Sequence, residues 1–230
     1  MKKDILNRLL ESLKVAVLTF IENYLKPQDT KRETPDENFK GFATLGIIVG
    51  HSKASPGASF ALGANEYQFN KEIAEIAKRY ADSVYGKVLK THVIFRDGIG
   101  RSGAYKKAEK LKCDCVIELH FNAFNKLVSG SETLTTTDVG DQAYGQAIQN
   151  MIVKVFKRRG KSRGLKPISR NARGGANVYA FPSGYNCLPE PFFGDNKAEA
   201  ALANSKKVEY ARGLIDATVG FSKYHLGLIS

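Results

Sequence analysis

The hydrophobic positions of residues 1–25 recur every three or four residues, the spacing of one face of an α-helix. These positions are Ile5, Leu9, Leu13, Val17, Phe20 and Tyr24. Residues 26–38 are polar and include two prolines, which is typical of a linker. The pattern therefore predicts an N-terminal amphipathic helix and linker over residues 1–38, followed by a larger domain over residues 39–230.

The amphipathic helix, residues 4–25, suits two kinds of partner. Its apolar face can pack on the main domain or on a second copy of the chain, which would make it a self-association element. Its cations and those just before it, Lys2, Lys3, Arg8 and Lys14, instead suit an anionic membrane surface.

Beyond residue 40 the hydrophobic pattern alternates between short apolar runs and stretches of helical period. Strands are predicted over residues 43–50, 91–96, 115–121, 131–137, 177–181 and 185–188. Helices are predicted over residues 65–85, 103–112, 141–159 and 196–219. Strands that alternate with helices indicate an α/β fold, a twisted and mostly parallel sheet with helices on both faces.

Composition narrows the class of protein. The chain has 230 residues, enough for one domain with a small appendage, and a net charge of +12. Such an excess of cations implies an anionic partner, which can be nucleic acid, an acidic membrane or a charged wall polymer. The three cysteines lack CxxC spacing, which argues against both a disulfide scaffold and a thiolate zinc knuckle.

The N-terminus does not match a secretion signal. Charged residues interrupt its apolar stretch, the longest clean run covers only residues 15–21, and no small-residue cleavage site follows. The run is also too short to span a bilayer. We therefore expect synthesis in the cytoplasm without a signal peptide.

Three candidate metal ligands fall near the carboxyl edge of the predicted sheet, where α/β proteins gather reactive groups. His51 follows the first strand, His120 lies near the end of the third, and Glu66 opens a helix behind Asn65, its predicted N-cap. Two imidazoles and a carboxylate suit a catalytic zinc that keeps one position open for water. Taken singly, each histidine is more often a structural hydrogen-bond partner than a ligand, and Glu66 is more often a helix-dipole partner. Their predicted placement together at one edge of the sheet is what favours the metal site.

The chain resembles the zinc-dependent N-acetylmuramoyl-L-alanine amidases, in the branch of phage endolysins and bacterial cell-separation enzymes. The resemblance covers roughly residues 42–218. It is carried by Gly50-His51-Ser52, Pro56-Gly57-Ala58, Glu66 with Asn70, the run from Glu118 to Ala123, and Gly130-Ser131-Glu132. It implies one zinc per chain, held by His51, Glu66 and His120. It also implies a catalytic glutamate near the C-terminus, here Glu190, followed by Phe193 and Asn196.

The resemblance implies hydrolysis of the amide bond between N-acetylmuramic acid and L-alanine in peptidoglycan. Zinc would polarise the carbonyl and acidify water, and Glu190 would carry the proton from water to the leaving amine. Pro191 and Glu118 depart from the family pattern, which has glycine and a small residue at these places. Glu118 is a candidate outer partner that orients His120, or else a competitor of Glu66 for the metal.

A polyanionic wall also accounts for the positive charge. Asn122, Arg170 and Arg173 are candidate substrate-binding residues, and the basic run of residues 161–166 is either part of that surface or merely solvated. The expected role is a phage or prophage endolysin that acts on the wall after release; a host remodelling amidase and another zinc peptidase are the alternatives. Neither a recognition helix nor an aromatic-rich motif for single-stranded nucleic acid stands out, so we expect no specific nucleic-acid partner.

Overall fold

A computed structural model describes residues 43–157 and 161–225 of the chain. The predicted amphipathic helix and linker, residues 1–38, lie outside these ranges, so their structure and their partner stay predictions. The described residues contain the α/β domain.

A mixed sheet of six strands forms the centre of the described domain, in the order β2-β1-β3-β6-β4-β5. The strands are β1 Ala43–Val49, β2 Leu89–Ile94, β3 Cys115–Leu119, β4 Ser131–Thr135, β5 Ser162–Pro167 and β6 Tyr185–Glu190. Strands β2, β1, β3 and β6 run parallel, whereas β4 pairs antiparallel with β6 and parallel with β5. The amino ends of β4 and β5 therefore lie at the same edge as the carboxyl ends of the other four strands.

Helices cover both faces of this sheet, as the sequence pattern predicts. They are α1 Glu66–Tyr85, α2 Gly100–Lys110, α3 Val139–Val155, α4 Gly175–Val178, α5 Lys197–Ser205 and α6 Lys207–His225. One face, called here the helix-rich face, packs against α1, α3 and α6 through the larger hydrophobic core. The opposite face, called the cleft face, packs against α2 through a smaller core that includes Ile48 and Val116. The predicted fold class is confirmed.

The start of α1 follows directly from its local sequence. The Asn65 side chain accepts a hydrogen bond from the backbone of Gln68, and the Gln68 side chain accepts one from the backbone of Asn65. This reciprocal capping box satisfies amide groups that an uncapped helix leaves free. It makes Glu66 the first residue of the helix, with Phe69, Asn70 and Ile73 on its buried face.

An aromatic cluster supports the edge of the sheet below the candidate ligands. Phe60, Phe69, Phe121 and Phe192 are all buried, and their ring centroids lie 4.9–6.1 Å apart. Such separations are typical of packed aromatic pairs. Because Phe121 directly follows His120, this cluster anchors the backbone that carries one of the candidate ligands.

Three local predictions differ from the structure. Residues 177–181 were expected to form a strand, but the chain turns through Gly174, at φ +83°, into the short helix α4. The single helix expected over residues 196–219 is divided into α5 and α6 at Lys206. Strand β5 overlaps the basic run of residues 161–166. No strand was expected there, because β5 is an edge strand whose side chains are mostly exposed and which shows no apolar pattern.

Candidate active site

His51, Glu66 and His120 converge at the carboxyl edge of the sheet. His51 follows β1, His120 follows β3, and Glu66 begins α1 above them. His51 Nε2 lies 3.1 Å from Glu66 Oε2, and His120 Nδ1 lies 2.8 Å from Glu66 Oε1. One potential ligand atom from each residue falls within 4.8 Å of the other two.

The backbone around His51 is shaped to allow this convergence. His51 itself has φ +66°, a left-handed conformation that is unusual for a residue other than glycine and is often found at functional sites. Gly57, at φ +77°, passes so close that a Cβ atom there would lie 2.6 Å from His51 Cδ2 and 2.7 Å from Glu66 Oε2. Only glycine fits this place without displacing two of the candidate ligands.

The Glu66 carboxylate is fixed by hydrogen bonds on both oxygens. The backbone N–H of Phe121 donates to Oε1 and that of Ala58 donates to Oε2, each at 3.1 Å. Burial by itself would raise the pKa of Glu66, but the contacts with His120 and His51 outweigh it and lower the pKa well below its usual range. Glu66 is therefore an ionised carboxylate at neutral pH.

His120 lies between two buried carboxylates. Opposite Glu66, Glu118 Oε1 lies 3.4 Å from His120 Nε2. Arg96 Nη1 donates to the same Glu118 oxygen at 2.9 Å, while Tyr105 Oη and Asn177 Nδ2 donate to Oε2 at 2.7 and 2.6 Å. None of these three donors of Glu118 was expected from the sequence, since they come from segments that are far apart in the chain.

The charges around His120 shift the pKa values of both His120 and Glu118. Burial alone would lower the pKa of His120, but Glu118 and Glu66 raise it to about 10. Burial alone would raise the pKa of Glu118, yet its contacts with His120 and the charge of Arg96 lower it to about 2. The pair of carboxylates thus creates a site that favours positive charge, which a protonated imidazole supplies when no other cation is bound.

Glu190 has a different environment from Glu66 and Glu118. It ends β6 and lies opposite Glu132 of β4 in the antiparallel pair. Its Oε2 is buried without a hydrogen-bond partner in the described part of the chain. Burial raises the pKa of Glu190 to about 7, and the nearby Glu66 charge adds to the rise. Glu190 is therefore a carboxyl group that can hold or release a proton near neutral pH.

A cleft of about 650 Å³ opens beside these groups on the cleft face. Its polar lining residues are His51, His120, Asn122, Glu132, Arg163, Arg173, Asn177 and Glu190. Asn122 donates a hydrogen bond to Glu132 at 2.8 Å. Of the two predicted substrate-binding arginines, Arg173 lines the cleft, whereas the guanidinium of Arg170 lies over the Tyr179 ring at 4.8 Å, away from the cleft lining.

The donor set of the three converging residues fits a divalent metal of borderline softness. Two imidazoles and one ionised carboxylate are the ligands typical of a catalytic zinc site. Tetrahedral ligands at about 2.0–2.2 Å from zinc lie roughly 3.3 Å from one another. Each histidine nitrogen lies near this distance from one of the two Glu66 oxygens, and one ligand atom from each of the three residues lies within 4.8 Å of the other two. The buried Glu118 network behind His120 provides the carboxylate that commonly orients a metal-bound histidine.

Comparison with known protein families identifies the chain. The family model described as N-acetylmuramoyl-L-alanine amidase matches residues 45–218. The chain belongs to this family. The matched range spans the described domain from β1 into α6 and includes every candidate site residue of this amidase. None of the curated proteins matches the chain by sequence.

Solved amidase structures share the fold. The catalytic domain of CwlV from Bacillus (Paenibacillus) polymyxa var. colistinus superimposes with a TM-score of 0.66 at 18% identity, covering 79% of this chain and 99% of that one. An amidase from Clostridium difficile 630 gives a TM-score of 0.68 at 19% identity, covering 80% and 99%. The catalytic domain of CD27L, an endolysin targeting C. difficile, gives 0.57 at 27% identity, covering 77% and 97%. The predicted family and enzyme class are confirmed.

Proposed function

We propose that this amidase uses zinc to hydrolyse the amide bond between the lactyl group of N-acetylmuramic acid and L-alanine in peptidoglycan. The observation that carries the proposal is the convergence of His51, Glu66 and His120 within 4.8 Å at the edge of the sheet. These three side chains would hold the metal. Zinc bound there supplies a Lewis acid that polarises the amide carbonyl and acidifies water.

The Glu66 carboxylate serves as a ligand and not as a proton carrier. Its hydrogen bonds from Phe121 and Ala58 hold both oxygens in place. Its lowered pKa keeps it ionised throughout the neutral range, so it neither binds nor releases a proton there. Metal ligation requires a deprotonated carboxylate of this kind.

Glu190 carries the proton. A general base and acid works best when its pKa is close to the working pH, and burial raises the pKa of Glu190 to about 7. Its carboxylate takes a proton from the attacking water and delivers it to the amide nitrogen as the C–N bond breaks. The products are the free carboxylic acid of the lactyl group and the free amine of L-alanine.

Glu118 orients His120 and does not compete with Glu66 for the metal. Its side chain is fully buried and already engaged by Arg96, Tyr105 and Asn177. A carboxylate behind the far nitrogen of a histidine fixes the ring and makes it a better ligand. Glu118 is therefore proposed as a positioning residue.

The biological role that we propose is that of a phage or prophage endolysin. The match to the catalytic domain of the CD27L endolysin, at 27% identity, supports it. In the described parts of the chain, no helix has both the length and the apolarity needed to cross a bilayer. Complete lysis of bacteria once their membrane is opened would support this role, whereas limited trimming of the wall would favour a host remodelling amidase.

The zinc assignment is tested by metal analysis of the purified protein and three variants. The wild type is expected to bind about one zinc, and His51→Ala, Glu66→Ala and His120→Ala are each expected to weaken binding by about tenfold or more. Lys71→Ala, at a half-exposed position of α1 where the lysine pairs with Glu75, is the control. Tightly held stoichiometric zinc in all three ligand variants would overturn the assignment.

The bond specificity is tested by product analysis of digested peptidoglycan. Amidase action is expected to release free L-alanine amines without new reducing sugar ends, as read by mass spectrometry of the fragments. New amines at other peptide positions would instead indicate a zinc peptidase.

A further inference from the structure

A β-bulge interrupts the pairing of β4 with β5 beside the candidate active site. Ser131 pairs with Ser162, but the next residue, Glu132, pairs with Gly164, which leaves Arg163 as the extra residue. Gly164 has φ +78°, the left-handed conformation that glycine adopts at such bulges. Bulges in parallel pairs are uncommon, and bulges near active sites often redirect a side chain.

The bulge lies between Arg163, which faces the cleft, and Leu165, which faces the helix-rich side. Ser162 Oγ accepts a hydrogen bond from Gln149 of α3, so Ser162 faces the helix-rich side. Leu165 also lies against α3, close to Gly145. Residues three apart on a regular strand lie on opposite faces, so the extra residue at the bulge is what allows Ser162 and Leu165 both to face α3. Arg163, which directly follows Ser162, lies on the opposite face and lines the cleft.

Contacts within the cleft hold the Arg163 guanidinium. Arg163 Nε lies 3.3 Å from Glu132 Oε2, and its Cζ lies 5.5 Å from the centroid of the buried Phe193 ring. Because the ion pair uses Nε, the four N–H donors of the two terminal nitrogens are outside it. The Arg163 side chain remains 44% exposed, so a ligand can reach it.

We propose that Arg163 is a specificity-determining residue that binds a free carboxylate of the peptidoglycan stem peptide. The inference rests on the proposed amidase function and names the part of the substrate that this cleft recognises. A planar guanidinium matches a carboxylate in charge and in geometry, and pre-orientation by Glu132 and Phe193 reduces the entropy lost on binding. Arg173, in the same cleft, adds to the positive potential.

Two matched probes test this inference. The acid probe is a muramoyl dipeptide whose second residue carries a free α-carboxyl group, and the amide probe carries a carboxamide there. The wild type is expected to favour the acid probe. Arg163→Gln is expected to raise KM for the acid probe by about tenfold and to leave kcat nearly unchanged, because the carboxylate is remote from the cleaved bond. Kinetics on the amide probe should change little.

Two further variants define the origin of the effect. Arg79→Gln removes the same charge from the solvent side of α1 and is expected to behave like the wild type on both probes. Arg163→Lys keeps the charge but loses the planar fork, so an intermediate KM for the acid probe is expected. If Arg163→Gln and Arg79→Gln raise KM for the acid probe equally, the cause is the overall charge of the protein, and the proposal is overturned.

A purely structural role for Arg163, as the partner of Glu132, is distinguished by the double variant Glu132→Gln/Arg163→Gln. If Arg163 only neutralises Glu132, Arg163→Gln impairs both probes equally and the double variant restores them, which overturns the proposal. If Arg163 binds the substrate carboxylate, the double variant keeps the selective loss on the acid probe.

Binding to Glu190→Gln, measured by calorimetry, separates this proposal from the proposed function. Tighter binding of the acid probe than of the amide probe, lost on adding Arg163→Gln, supports the carboxylate site even if neither probe is hydrolysed. Equal affinity for the two probes overturns the carboxylate site even if both are hydrolysed.

Discussion

The buried carboxyl groups at the two ends of the candidate active site have pKa values shifted in opposite directions. On the His120 side, Glu66 and Glu118 have hydrogen-bond donors on both oxygens, and the pKa of each is lowered. At the end of β6, Glu190 has a buried oxygen without a partner among the described residues, and burial raises its pKa to about 7. Burial is common to all three groups, so hydrogen bonds and charge from neighbouring side chains, chiefly His120, His51 and Arg96, decide whether a carboxyl group stays ionised or can exchange a proton.

This contrast predicts different roles for Glu66 and Glu118 on one hand and for Glu190 on the other. A carboxylate that is held ionised can retain a cation or orient a histidine, and a carboxyl group that titrates near neutrality can move a proton. The following changes test the division, beginning with the largest expected effect.

Glu190→Gln is expected to lower the rate of wall hydrolysis by about 10²–10⁴, because glutamine has nearly the same shape but cannot accept a proton. Zinc content and fold should be retained, since Glu190 is not a proposed ligand. Turbidity loss of purified walls gives the rate, metal analysis gives the zinc content, and Glu75→Gln on α1 is the matched control. Loss of zinc from Glu190→Gln would place this residue among the ligands and remove the contrast with Glu66.

Glu118→Gln is expected to weaken zinc binding by about 10–100-fold, the usual cost of losing an outer partner of a metal-bound histidine. Competition with a chromogenic chelator measures the affinity. Glu109→Gln, on α2 with an exposed hydrogen bond from Ser183, removes the same charge outside the network. Unchanged zinc affinity in a folded Glu118→Gln variant would limit this carboxylate to a role in packing.

The pH dependence of stability should distinguish Glu190 from the other two carboxylates. A raised pKa means that folded, metal-free protein holds a proton between pH 4.5 and about 7 while the unfolded chain has lost it. The wild type therefore loses stability as the pH rises through that window, by at most about 3 kcal/mol, whereas Glu190→Gln lacks this loss. Urea unfolding at pH 4 and pH 8 measures the difference. Parallel pH profiles for the two proteins would contradict the raised pKa.

Gly57→Ala should perturb the candidate ligands His51 and Glu66 through packing alone. Alanine at Gly57 and alanine at Gly63 both adopt a positive φ, but only at Gly57 would the new Cβ meet His51 and Glu66. We expect Gly57→Ala to be less stable than Gly63→Ala by about 1–3 kcal/mol and to bind zinc more weakly. Thermal unfolding and chelator competition measure the two effects. Equal behaviour of the two variants would show that the ligand pair adapts to the extra methyl group.

The sequence alone determined the fold class, the three residues that converge and the start of α1. Each depends on a local pattern: the alternation of apolar runs and helical periods, the position of a histidine after a strand, and the Asn65–Gln68 capping box. The resemblance of its motifs to the amidase family identified Glu190 as the candidate catalytic residue. Such features involve neighbours in the chain, which is why they can be predicted without coordinates.

Only the tertiary structure decided how the site is surrounded. Arg96, Tyr105 and Asn177 reach Glu118 from three different segments, and the bulge beside Arg163 exists only in the pairing of β4 with β5. Strand order, strand direction and register arise from contacts between residues distant in sequence, so a periodic pattern along one segment does not contain them. The chemistry of the three glutamates follows from those contacts, because residue type alone does not set their pKa.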